Sequence, residues 1–254
     1  MELWTPEHTR TLLPSLAVMV VLTVVLRLTL GKKPLHIRMI PFQVIACLLV
    51  LIEIGKQITS LIEGYDLYFL PFHFCSLFIF MLPFMAFYRG KHMQKVGAVT
   101  ASLSCAMFLL MLIYPNLIYS AANIKEYFQV YLSFHTVTFH NLVMLAFLLI
   151  PALELHTPAT KKEPVYALIF TIGFCIVAAS MAHILKTNYA NFYTCNVPVL
   201  EQVRLSMQPI LGKVGTQFLY VAINTTLHIV FVQLSYWFYR LLRSVICGKQ
   251  KVAV

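Results

Sequence analysis

Seven mostly apolar stretches, each about twenty residues or longer, run along the chain at 11–30, 39–62, 66–88, 95–119, 129–151, 164–186 and 212–243. Each is long enough to cross the roughly 30 Å hydrocarbon core of a bilayer as a helix. Polar connections separate them, the longest from Thr187 to Lys213. Pro115-Asn116 interrupts the fourth stretch near its end, and 120–129 reads as a short interfacial helix. The pattern predicts an all-α polytopic transmembrane helix bundle of about seven spans, organised as one membrane domain over 1–254.

Composition agrees, since 60% of the 254 residues are hydrophobic and 11% charged, against about 25% charged in a soluble domain. The net charge of +10 would point to nucleic acid in a soluble protein. Here the basic residues gather in alternate short loops: Lys32, Lys33 and Arg38; Arg89, Lys91 and Lys95; Lys161 and Lys162; and Arg240, Arg243, Lys249 and Lys251. That is an orientation signal, and the positive-inside rule places the N-terminus outside and the C-terminus in the cytoplasm. Arg204 and Lys213, in the connection assigned to the outside, run against it. The first apolar run ends on Lys32-Lys33 without a small-residue cleavage motif, so it reads as an uncleaved span.

Helical rise converts position into depth. At about 1.5 Å per residue, Cys75 lies roughly 15 Å inward from the outer end of the third span, with His73 just above it. His140 reaches nearly the same depth in the fifth span, with His135 above. Glu53 and Lys56 come to the outer half from the second span, His183 from the sixth, and Asn224 and His228 from the seventh. Ionisable groups at such depth cost about 2.5–3.5 kcal/mol each and normally turn inward to find partners. Five histidines in one half of the membrane therefore predict a polar cavity lined by Glu53, Lys56, His73, Cys75 and His140. Glu53 and Lys56, three apart, share a helix face and neutralise each other.

A cysteine becomes a nucleophile when a neighbouring base takes its proton, and histidine is the usual partner. On a helix His73 and Cys75 point apart, which leaves His140 as the base for Cys75 and His73 to orient a head group or pair with Glu53. The competing reading is a thiol packed among Phe72, Phe74 and Phe78. His135 and His140 are five apart, not three or four, so no metal site is expected and no cofactor is implied. The six cysteines show no CxxC spacing and read as packing residues.

The segments EIGKQ (53–57), LPFHFCSL (70–77), FHTVTFHNLVML (134–145) and TNYANFY (187–193) resemble the YwaF-like integral membrane family of bacteria. They are also distantly similar to transmembrane protein 164 of eukaryotes, regarded as a Cys/His phospholipid acyltransferase, and more remotely to androgen-induced-gene-type hydrolases that use Thr and His. Carried over by position, the relative's histidine falls on His140. In that relative a Cys directly precedes the His after a Pro, whereas here Phe72 holds that place and Cys75 follows His73 by two. The Asn-Tyr element falls on Asn188 and Tyr189.

The reading that follows is an acyltransferase or hydrolase acting on a membrane lipid ester in the cell membrane. Cys75 and His140 carry the chemistry; Glu53, Lys56, His73, His135, His183, Asn188, Tyr189 and Asn224 bind or support. The alternatives are a small-molecule or proton-coupled transporter using Glu53, Lys56 and the histidines, and an assembly factor with a polar core. The sequence assigns no oligomeric state.

Overall fold

A computed structural model describes residues 2–247; the basic residues Lys249 and Lys251 used above lie outside them. The elements in chain order are α1 Pro6–Leu30, α2 Leu35–Arg38, α3 Ile40–Glu63, α4 Leu77–Phe87, α5 Met93–Ile113, α6 Pro115–Ile118, α7 Ala121–Lys125, α8 Tyr131–Ala152, α9 Glu163–Ile184, α10 Pro198–Ser206 and α11 Gln208–Cys247. Among the described residues, six helical stretches are long and apolar enough to cross a membrane: α1, α2 continued into α3, α5, α8, α9 and α11. The seventh apolar helix, α4, has 11 residues.

Large apolar side chains face outward along these helices, among them Val18, Val21 and Leu28 of α1 and Ile169 and Ile176 of α9. In a bilayer this surface meets lipid, so it carries no unpaid exposure. The centre is α5, which packs against α4, α8, α9 and α11. Its run Gly97-Ala98-Val99-Thr100-Ala101-Ser102-Leu103-Ser104-Cys105-Ala106 is fully buried. Small residues let helix backbones approach closely, the main source of packing where lipid and side chains are equally apolar. Ser102 and Ser104 return their hydroxyls to Ala98 O and Thr100 O at 2.7 and 2.6 Å, so neither leaves an unmet donor.

The basic loops meet at one end of the bundle. There Arg27 donates to Ala152 O and Ile246 O, Arg38 to Leu153 O, and Gln94 to Thr157 O. Glu163, fully buried, accepts from Gln94, Ala159 N, His156 and Tyr236 and ties the 153–162 connection to α5, α9 and α11. Gly97 makes room for this lock, because a Cβ there would stand 2.5 Å from His156 Nδ1 and 2.9 Å from its Cγ. Gly97→Ala is expected to displace His156 and lower stability by about 1–3 kcal/mol, as overpacking does, read as a fall in melting temperature of the detergent-solubilised protein.

The expectation of a continuous helix over 66–88 needs correction. Residues 67–69 form a single 3-10 turn, 70–76 follow as turns, and regular helix begins only at Leu77. Pro71 lacks an N–H and disfavours helix at Leu70, which has extended dihedrals, φ −62° and ψ 148°. A second irregular stretch, 185–197, follows α9, and α11 bends at Gly212, whose φ of 69° suits glycine.

Candidate functional site

Irregular backbone at membrane depth survives only where its polar groups find partners or line a cavity, and both conditions are met here. Tyr189 OH donates to Leu67 O, and Gln57 Nε2 to Phe69 O at 3.2 Å. The 187–193 stretch turns through left-handed backbone at Ala190 (φ 46°) and Asn191 (φ 61°); such strain persists only where its surroundings hold it. One stripe of α11 supplies the hold. Asn224 Nδ2 donates to Ala190 O and Asn191 O at 3.1 and 3.2 Å, Tyr220 OH to Asn191 O, and Gln217 Nε2 to Phe192 O at 3.0 Å.

Between these two stretches, α5, α8 and α11 lies a cavity of about 410 Å³, within the range of small-molecule sites. His73, Cys75, His140, Asn188, Asn224 and His228 give it polar chemistry, while Met107, Leu110, Leu227, Phe231 and Val232 form its apolar wall. Cys75 and Tyr68 are the only lining residues, among those described, with a thiol or hydroxyl.

His140 is set up as a base. Its Nδ1 lies 2.6 Å from Thr136 O, and since a carbonyl only accepts, Nδ1 carries the proton and Nε2 keeps a lone pair. That Nε2 is buried and makes no hydrogen bond among the described residues. Cys75 stands on the turn leading into α4, where the first N–H with a backbone acceptor is that of Ser76. Among the described residues the N–H groups of His73, Phe74 and Cys75 make no bond to a backbone carbonyl, as at the start of a helix, a place whose field favours an anion. His73 donates Nε2–H to Tyr68 O at 3.0 Å and rests on the Tyr68 ring at 4.4 Å. His228 gives its Nδ1–H to Asn224 O at 2.9 Å and stacks on Phe192 at 5.5 Å.

The other expected residues go elsewhere. Glu53, Lys56 and His135 are absent from the lining and form a separate buried cluster between α3 and α8. Glu53 meets Lys56 at 2.6 Å, His135 at 2.9 Å and Gln57 at 2.8 Å. The helical phase of α3 turns Glu53 toward His135 of α8 rather than into the cavity, so His73 pairs with Tyr68 and not with Glu53. Tyr189 is fully buried and packs edge-on against Phe72 and His73 at 5.2 and 5.3 Å, as a support for the broken stretch. His183 lines a different groove, between α9 and α11. Asn188 accepts from Tyr193 N and Thr194 N and donates to Asn196, which joins it in the cavity wall. Asn196 and Tyr68 carried no local pattern that marked them.

A helical bundle of lipid-facing spans with a broken third element around a polar cavity defines a multi-pass integral membrane protein. The model of the TMEM164 family matches residues 3–241, and the chain belongs to that family. The likeness to YwaF-like proteins remains a resemblance carried by the motifs quoted above. No curated protein and no solved structure matches the chain.

Proposed function

We propose that the protein transfers or hydrolyses the acyl group of a membrane lipid ester, with Cys75 as nucleophile and His140 as base. The observation that carries this reading is that Cys75 and His140 line one cavity beside an apolar wall of acyl-chain character, with His140 Nε2 unpaired among the described residues. Phe72, which holds the place of the relative's cysteine, packs on Tyr189 and is not in the lining, so in this chain the thiol offered to the cavity is that of Cys75.

In this scheme His140 Nε2 takes the Sγ proton as Sγ attacks the ester carbonyl carbon. A C–S bond forms and the carbonyl electron pair moves to oxygen, where the free N–H groups at the start of α4 receive it. Collapse breaks the C–O ester bond, the leaving alcohol takes the proton back from His140, and a thioester remains on Cys75. A second hydroxyl, from lysolipid or water, repeats the sequence with His140 again accepting and returning the proton.

The test is acid-quenched intact mass of the purified protein after incubation with a diacyl phospholipid. One added acyl group is expected, released by neutral hydroxylamine and absent from Cys75→Ala. No adduct, or one that persists in Cys75→Ala, removes the mechanism. A transporter reading draws on the Glu53–Lys56–His135 cluster, and that cluster lies outside the cavity a solute would occupy.

A further inference from the structure

Further along the same stripe of α11, toward the end of the bundle away from the basic loops, lies a second groove, of about 470 Å³, against α9. Ala179, Val214, Phe218 and Val221 form its apolar walls, and Lys213 and His183 stand at its rim. Val214 and Phe218 are 71% and 74% exposed, so the groove opens to the lipid-facing side of the bundle. Lys213 forms no ion pair among the described residues. His183 gives Nδ1–H to Ala179 O at 2.8 Å, which leaves Nε2 free. A lone cation beside an apolar groove at a helix end is complementary to an amphiphile with an anionic head.

We propose that this groove binds a membrane phospholipid by its phosphate. Lys213 Nζ meets the phosphate oxygens, while Val214, Phe218 and Val221 take one acyl chain. The walls are lipid-facing, so the occupant comes from the bilayer and not from solution. Gln217 and Val221 line the groove, Asn224 and His228 line the cavity, and their spacing of four, three and four places them on one helix face. A lipid held at Lys213 therefore lies along the same face of α11 as the cavity, about 16 Å from Asn224 along the helix axis. The site stands independently of the thiol chemistry, because its residues take no part in that chemistry.

The experiment is native mass spectrometry of the full-length protein released from micelles containing either dioleoylphosphatidylglycerol or dioleoylglycerol. Losing the phosphate removes a charge-assisted contact, so retention of phosphatidylglycerol is expected to exceed that of dioleoylglycerol by about tenfold. Lys213→Met is expected to erase that preference and Lys213→Arg to keep it, at an unchanged melting temperature. Equal retention of the two lipids by the unaltered protein overturns the proposal whatever the variants do. So does a preference that survives Lys213→Met, or displacement of the lipid by inorganic phosphate. A failed acyl-adduct test on Cys75 leaves these outcomes untouched.

Discussion

Replacing His140 with phenylalanine is expected to lower acyl transfer by about 10²–10⁴-fold, the usual contribution of a positioned general base, without destabilising the fold. The second half of that expectation is the sharper one. His140 Nε2 is buried and makes no hydrogen bond among the described residues, and an unmet polar atom costs about 1–3 kcal/mol. Its ring already lies among aromatic groups, 5.5 Å from Phe139 and 6.3 Å from Tyr119. A phenyl ring keeps those contacts and deletes the unmet nitrogen, but also gives up the Nδ1–H bond to Thr136 O, worth about 0.5–1.5 kcal/mol. The two effects largely offset, so the melting temperature should change little while activity falls. Activity is measured as fatty acid released or transferred from a diacyl phospholipid, and stability by thermal unfolding in the same detergent. A variant that loses stability and keeps activity would make His140 a packing residue.

Most of the bundle was legible because a membrane imposes length and hydropathy on every span, and those are local properties. The exception is the third stretch. Residues 66–76 are as apolar as a helix, and only Pro71 hints otherwise, because the groups that hold the irregular backbone come from far away: Gln57 on α3 and Tyr189 after α9. No local pattern encodes such partners. The same break corrects the depth argument, since helical rise does not apply above Leu77, yet Cys75 and His140 still meet in one cavity. Depth alone grouped Glu53, Lys56 and His135 with them, whereas helix phase separates the two sets. The basic residues that ran against the charge rule also acquire a setting. Arg204 is neutralised by Glu201 at 2.5 and 2.8 Å, and Lys213 stands in the lipid-facing groove.

The buried cluster between α3 and α8 leads to a large stability effect. Glu53 holds Lys56, His135 and Gln57 at once, with Glu53 and Lys56 only 7% and 9% exposed. Glu53→Gln leaves the Lys56 ammonium buried without its counter-charge, a loss of about 3–5 kcal/mol in comparable pairs. Lys56→Met alone is expected to cost less, because His135 and Gln57 still hydrogen-bond the carboxylate. The double variant Glu53→Gln, Lys56→Met removes both charges together with their desolvation, and should recover most of what the first single variant loses. Glu53 and Lys56 are opposite charges 2.6 Å apart and both stand outside the cavity lining, so the pair presents no net charge to the cavity. The double variant is accordingly expected to form the acyl adduct at Cys75 at a near-normal rate. Unfolding curves of the three variants, with adduct formation in the double, decide the matter. A stable double variant that forms no adduct would show that Lys56 tunes the thiol across the turn at 69–76, and would move the pair from the scaffold into the chemistry.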